Sequence, residues 1–444
     1  MHKKIFDFLA AILISAFIII SSQPCALAEE ADVGHALKGY TGHKSPIIDK
    51  SLYTEASLYG NPSVSEQVMK IGLDFGSEAV GWASFENLGG GGFIVGHYDE
   101  NRVFHAERQT KAHFIYLNIL ETEGPIQADG KPEMIYTMQF VNGINSGVLF
   151  SMDESINKIA IISADGSQIK YKNDSYYGGF ECILNGNLLT IINYVDLENY
   201  VKGVIPYEMS SYWPFEALRA QAVCARTYGI YNVDSYKDYG FDLTDDTRSQ
   251  VYRGTVDADE TTDEAVDSTA GQIVRYKGEA CELYYFSSDG GATEDSINVF
   301  SVNKPYLAGK TDPFEDAVDF TLRSWTLSKT GEDISKILNR AGHSIGVITD
   351  IRPSISRSGN VVALHFYDAE ENCVIIEGRR CYTILGLHNC NFRIEKNADT
   401  FNFIGSGWGH NCGLSQYGAY SMALHHEKTA EEIIQFYFTG VYIR

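Results

Sequence analysis

The 444-residue chain has no C-x-x-C pair, no excess of positive charge, no internal repeat and no low-complexity tract. It also has no apolar run long enough to cross a bilayer. Each absence excludes something. The eight cysteines, at 25, 182, 224, 281, 373, 381, 390 and 412, lack the paired spacing of a structural zinc site. Seven of them follow residue 28, an odd and scattered set that does not read as a disulfide framework. They read as small buried residues; Cys373, Cys381 and Cys390 are close enough for one bridge, but none is expected. With 58 acidic against 35 basic residues, the net charge is −23, which argues against nucleic acid or an anionic membrane as a general partner. The longest apolar stretch, Phe8 to Ile20, has 13 residues, where a spanning helix needs about 20.

What is present is ordinary globular composition with 28 tyrosines, a surface suited to a polar ligand such as a carbohydrate, although tyrosine is also common in strands. His2-Lys3-Lys4, the short apolar stretch and Ala26-Leu27-Ala28 read as a secretory signal peptide over 1–28, with a retained anchor as the alternative. This places the protein outside the cytoplasm, secreted or at the outer face of the membrane and cell wall. Residues 29–65 read as a flexible lead-in, 66–190 as a β-rich N-terminal part and 191–444 as a second domain. The fold class is α+β, mostly antiparallel sheet with a few helices. The clearest helix is Ala-rich and covers about 214–231, with Ser210 or Ser211 as cap and Pro214 in the first turn. Further helices are expected near 261–270, 332–341 and 429–438, and strands over 272–286, 347–351, 361–367, 372–377 and 401–405.

Three segments carry chemistry. Glu208 is a lone carboxylate among apolar and aromatic residues, on what reads as a loop leading into the Ala-rich helix. Desolvation there would raise its pKa and let it hold a proton for a leaving oxygen; the alternative is a helix cap or a partner for Arg226. Arg226, Gln221 and Tyr228 are polar groups on the Ala-rich helix, and an arginine turned into a cleft could stabilise developing negative charge. In 287–294, Ser288, Gly291, Thr293 and Glu294 supply close backbone approach and sugar-type hydrogen bonds, or an ordinary turn. In 405–419, five glycines surround Trp408, His410, Ser415 and Gln416. His410 could be a base, a donor or a ligand, and Cys412 invites a nucleophile reading that its i, i+2 spacing from His410 argues against.

Taken together, these segments resemble the SpoIID/LytB family. The resemblance rests on Tyr200…Gly203-Val204…Glu208-Met209…Trp213-Pro214…Ala220-Gln221-Ala222-Val223…Ala225-Arg226-Thr227-Tyr228, then Ser288-Asp289-Gly290-Gly291…Thr293-Glu294 with Pro305-Tyr306-Leu307, then Gly407-Trp408-Gly409-His410…Gly413…Ser415-Gln416-Tyr417-Gly418-Ala419. It covers about 190–444 well and 66–190 loosely. The resemblance implies a lytic transglycosylase that cleaves MurNAc–GlcNAc bonds of peptidoglycan strands stripped of stem peptides, leaving 1,6-anhydro-MurNAc ends. A non-catalytic amidase enhancer that binds wall glycan is the alternative. It also implies Glu208 and Arg226 as catalytic residues, a groove drawing on Tyr200 and the residues named above, and a cell-wall amidase as working partner. Some members carry zinc in the segment matching 241–252; here Thr244, Arg248 and Ser249 stand instead, so neither a metal nor a cofactor is expected. Asn411-Cys412 replaces a usual Gly-Val pair, which puts the shape of that loop in doubt.

Overall fold

The structure is a computed structural model and describes residues 67–444 apart from 129–130, 143–146 and 316–323. The expected signal peptide, lead-in and Cys25 lie outside the described residues. The architecture is α+β and mostly antiparallel. A seven-stranded sheet takes 243–244, 68–74, 188–196, 179–185, 158–163, 93–98 and 104–110 in that spatial order; a six-stranded sheet takes 174–176, 169–171, 82–87, 114–126, 132–141 and 148–151. Alternation turns Val95, Ile161, Phe180 and Cys182 from the first sheet and Phe85, Ile115, Leu117 and Phe140 from the second into one apolar cluster. Phe85 and Phe180 meet across it, with ring centroids 5.0 Å apart.

The boundary expected at 190/191 falls inside the strand Leu188–Asp196, and the same cluster continues into the helices beyond it. Eight helices occur among the described residues: α1 Leu197–Glu208, α2 Phe215–Tyr231, α3 Glu260–Asp267, α4 Ser296–Phe300, α5 Gly331–Arg340, α6 Arg380–Thr383, α7 Gln416–His426 and α8 Ala430–Tyr437. Four of them match the expected helices to within a few residues. Neither Ser210 nor Ser211 caps α2; Pro214 holds that position without a side-chain bond. The long strand expected over 272–286 is only three short pieces, 274–276, 279–280 and 285–286.

Residues 325–405 build a second apolar cluster from Trp325, Ile334, Leu338, Leu364, Phe366, Phe401, Phe403 and their neighbours. Two three-stranded antiparallel sheets, 325–330/400–405/392–397 and 348–355/361–368/373–377, enclose it with α5 and α6. This unit leaves the chain after the 287–294 loop and returns it at 405, just before the glycine-rich loop. It therefore brings the two loops into register: Ser288 and Trp408 pair through both backbone amides, at 3.0 and 2.7 Å. Phe403 is fully buried there, so Phe403→Ala is expected to cost about 3–5 kcal/mol. Urea unfolding followed by circular dichroism checks this, and an unchanged midpoint would contradict the packing described.

Candidate functional site

The strand Leu188–Asp196 runs directly into α1, whose first turn Asp196 caps by accepting from the Asn199 amide at 2.9 Å. Leu197, Tyr200, Val201, Val204 and Ile205 face the core at helical spacing. Glu208 is therefore not on a loop: it is the last residue of α1. Gly203 permits the approach of the next segment, since a Cβ there would lie 2.4 Å from the Tyr252 ring. That approach brings Gln250 alongside α1, where the Tyr200 hydroxyl reaches Gln250 Oε1 at 3.0 Å.

Glu208 is partly exposed at the surface, yet its carboxyl is surrounded by enough protein for burial to dominate. Burial pushes its pKa up from the ordinary 4.5 to about 7, against the smaller opposing pull of hydrogen bonds from Gln416 and Tyr285. Gln416 Nε2 donates to Glu208 Oε2 at 3.0 Å. Gln416 is the first residue of α7, which Ser415 caps by accepting from the Gly418 amide at 3.2 Å. Tyr285 lies on the short strand Tyr285–Phe286, paired in parallel with Leu414–Ser415. Glu208, Gln416 and Tyr200 thus come together, with Tyr285 and Gln250 as members that the sequence did not single out.

The glycine loops form the support beneath. Glu315 is buried and accepts from the Ser288 hydroxyl at 2.8 Å, from the Asp289 and Gly290 amides at 2.9 Å, and from the Ser415 hydroxyl. Ser288 and Ser415 are spent on this carboxylate. Gly291, at φ +115°, donates its amide to Asp289 Oδ1 at 2.6 Å. Thr293 bonds the Lys310 backbone, and Glu294 accepts from Asn298 and Ser356, tying the loop to the 325–405 unit. Those two residues are structural here. The Trp408 ring stacks on His388, with centroids 3.9 Å apart and planes 16° apart.

His410 has neither nitrogen to spare. The Cys412 amide donates to Nδ1 at 3.2 Å, so the proton sits on Nε2, which donates to the Tyr285 carbonyl at 3.1 Å. Burial lowers its pKa to about 3. It fixes the Tyr285 backbone and is neutral in doing so. Cys412 is buried with its thiol pushed well up by burial, which leaves no thiolate nucleophile. All seven described cysteines are free, and only Cys373 is exposed.

Arg226 is fully buried, and none of its hydrogen bonds goes to Glu208. Its guanidinium forks onto Glu198 at 2.6–3.1 Å and also donates to Val266 O, Thr269 Oγ1 and Gln272 O. Glu198 in turn takes the Gly271 amide at 3.0 Å. The pair therefore locks α1, α2 and the end of α3 together. Gln221 is also fully buried on α2, and among the described residues neither of its amide atoms has a partner. Tyr228 is part-buried and bonds Ser249.

In the segment 241–252, side chains close the loop on itself. Thr244 donates its hydroxyl to Asp246 and its amide to Ser249, while Arg248 clamps Asp246 and reaches Glu78. Beyond α1, Trp213 packs its ring against Tyr417 and Tyr420, with centroids 4.9 and 5.1 Å away. Tyr417 and Tyr420 lie on α7, the helix that begins with Gln416; the sequence offered only the aromatic identities, with nothing to bring 213 and 417 together.

The family model described as SpoIID, Stage II sporulation protein, matches residues 185–276. The chain is 30% identical over 266 residues to Stage II sporulation protein D of Bacillus subtilis, covering 56% of this chain and 74% of that protein. It is 35% identical over 276 residues to an uncharacterized protein of Brachyspira hyodysenteriae, covering 60% and 71%. It is also 29% identical over 286 residues to the Amidase enhancer of Bacillus subtilis, covering 54% of this chain but 39% of that protein.

Two outcomes follow for stability. Arg226→Met leaves Glu198 charged and unpaired in the interior and is expected to cost about 3–5 kcal/mol, with the Glu198→Gln/Arg226→Met double variant losing less. Thermal melts of the single and double variants check this. For Glu208, a folded pKa of about 7 means the proton favours the folded state. Its contribution is complete below pH 4.5 and is lost as pH rises through about 7. Glu208→Gln should therefore match wild type at pH 4 and exceed it at pH 8 by about 1–3 kcal/mol, allowing for partial exposure. Denaturant curves at the two pH values decide it; a variant less stable at pH 8 would contradict the burial of the carboxyl.

Proposed function

We propose, for a chain that belongs to the SpoIID family, an exported lytic transglycosylase that cleaves the MurNAc–GlcNAc bonds of denuded peptidoglycan strands. The observation that carries this reading is Glu208: one carboxyl, raised to about 7, with no second carboxylate among the influences on it. Near neutral pH such a group is populated in both forms and can serve as acid and then base. Protonated, it gives its proton to the glycosidic oxygen as the bond to C1 of MurNAc breaks. Ionised, it takes the proton from the 6-hydroxyl of the same sugar while that oxygen bonds to C1. The products are a free GlcNAc hydroxyl and a 1,6-anhydro-MurNAc end, with no water consumed and the carboxyl returned to its protonated form. Ordinary two-carboxylate glycosidases need a separate nucleophile or base; this route does not.

Trp213, Tyr417 and Trp408 offer ring faces for sugars, and an uncharged glycan needs no basic field from a chain of net charge −23. In this reading Arg226 acts through Glu198 by holding α1, not by touching substrate. Sporulation as the setting, and a cell-wall amidase as the enzyme that strips the stem peptides, fit the names of the relatives. The likeness to the Amidase enhancer favours a second reading, in which the chain binds wall glycan and promotes an amidase without cleaving it.

Digestion of denuded strands followed by mass spectrometry separates the two. Wild type is expected to yield anhydro-MurNAc ends, with a rate that falls above about pH 7 as the acid form of Glu208 is lost. Glu208→Gln is expected to lower that rate by about 10²–10⁴-fold. Glycan binding without anhydro ends from wild type supports the enhancer reading instead.

A further inference from the structure

The direction of every hydrogen bond in the chain that ends on Glu208 follows from the chemistry of its members. Tyr200 is fully buried, with its hydroxyl 3.0 Å from Gln250 Oε1. An amide oxygen carries no proton, so the phenol donates. That fixes the amide: Gln250 Nε2 lies 2.6 Å from Tyr285 Oη and can only donate to it. Tyr285 keeps its own proton, since burial pushes its pKa well up. With its oxygen accepting from Gln250, the proton goes to its other partner, the Glu208 carboxyl.

We propose that Tyr285 is a positioning residue for Glu208, an obligate donor whose direction is set by Gln250 and Tyr200. Tyr285 is itself held from behind, by the His410 Nε2–H on its carbonyl and by the parallel pairing with Leu414. The surroundings of Glu208 give the device its purpose. On its own helix the titratable neighbour is Tyr200; Lys202 is engaged by Asp267, and Tyr207 by Asp257. Strand Tyr285–Phe286 presents Tyr285, and α7 presents the neutral Gln416, with Glu315 bonded to Ser415 beneath it. From α2, Arg226 is neutralised by Glu198. Glu208 is thus answered by two neutral donors and no cation. A cation in contact would hold the carboxylate ionised and spoil the acid half of the reaction. Neutral donors support the anion once formed while leaving burial in control.

The catalytic consequence rests on the lytic reading, whereas the titration does not. The test uses the full chain labelled with [13C]glutamate. The Glu208 δ-carbon resonance is identified by its loss in Glu208→Gln and followed against pH. In Tyr285→Phe the midpoint is expected to move up by about one pH unit, the worth of one hydrogen bond to a charged group. Gln250→Glu gives an independent variant: a carboxylate there accepts from both phenols, draws the Tyr285 proton away from Glu208 and adds a like charge, so the midpoint should rise at least as far. The alkaline limb of anhydro-end formation should move with each midpoint. An unshifted or lowered midpoint in either folded variant overturns the proposal whether or not glycan is cleaved. Absence of anhydro ends from wild type overturns the lytic reading alone.

Discussion

The buried carboxylate of Glu315 is the point on which the site depends. Four donors converge on it from two segments more than a hundred residues apart in sequence: Ser288, Asp289 and Gly290 on one side and Ser415 on the other. A charge taken out of water is costly unless its oxygens are fully occupied, and here they are. Asp289 and Asp312 lie close by, and burial together with the Glu315 charge pushes Asp289 well above the usual carboxylate range. It is the member that keeps its proton, which limits the charge the interior has to hold. Asp312 in turn accepts from the buried Tyr437 hydroxyl at 2.5 Å, tying α8 to the cluster. Because Ser415 caps α7, a loss of geometry at Glu315 would pass within one residue to Gln416 and so to Glu208.

A second buried pair fixes the other half. Glu198 and Arg226 join α1 to α2 at the end of α1 opposite Glu208. One helix therefore carries two carboxylates with contrary treatments. Glu198 receives a guanidinium fork and a backbone amide; Glu208 receives two neutral donors. Ten positions along one helix separate a carboxylate paired with a guanidinium from a carboxyl whose pKa burial raises. The contrast gives a reason for the arginine to stand away from Glu208: beside it, the cation would hold the carboxyl ionised.

Much of this was legible in the sequence, and the misses have identifiable causes. The Ala-rich stretch and the periodic segment near 429–438 point to α2 and α8 to within about a residue, because such signals are local; α8 also carries a capping box at Thr429 and Glu432. From the sequence Glu208 reads as lying on a loop, and the preceding Val201, Gly203, Val204, Ile205 and Pro206 are poor helix formers. The segment's buried positions nonetheless follow a helical period, and packing against α2 and Tyr252 outweighs propensity. Glu208 and Gln416 were named from motif context, yet their mutual bond spans 208 positions that no local pattern connects. For Arg226 the sequence leaves a cleft-facing role and ordinary ion pairing both open; its partner Glu198 lies on a helix the sequence does not announce. Tyr285 and Gln250 carried no signal of their own, being one tyrosine among 28 and one amide in a loop.

Asn411 ties the glycine-rich loop to its surroundings. Its φ is +64°, the left-handed region that a glycine enters freely and that asparagine enters more readily than other side chains. Its side chain also supplies an amide. Nδ2 donates to the Asp289 and Ala292 carbonyls at 3.2 and 2.9 Å, and Oδ1 accepts from Asn389 at 3.2 Å. The loop is bound by side-chain bonds to the 289–292 turn and to Asn389 of the 325–405 unit, with Cys412 buried next to it in sequence. The loop's position therefore depends on the 325–405 unit, and through His410 and the Tyr285 carbonyl that dependence extends to the hydroxyl that addresses Glu208.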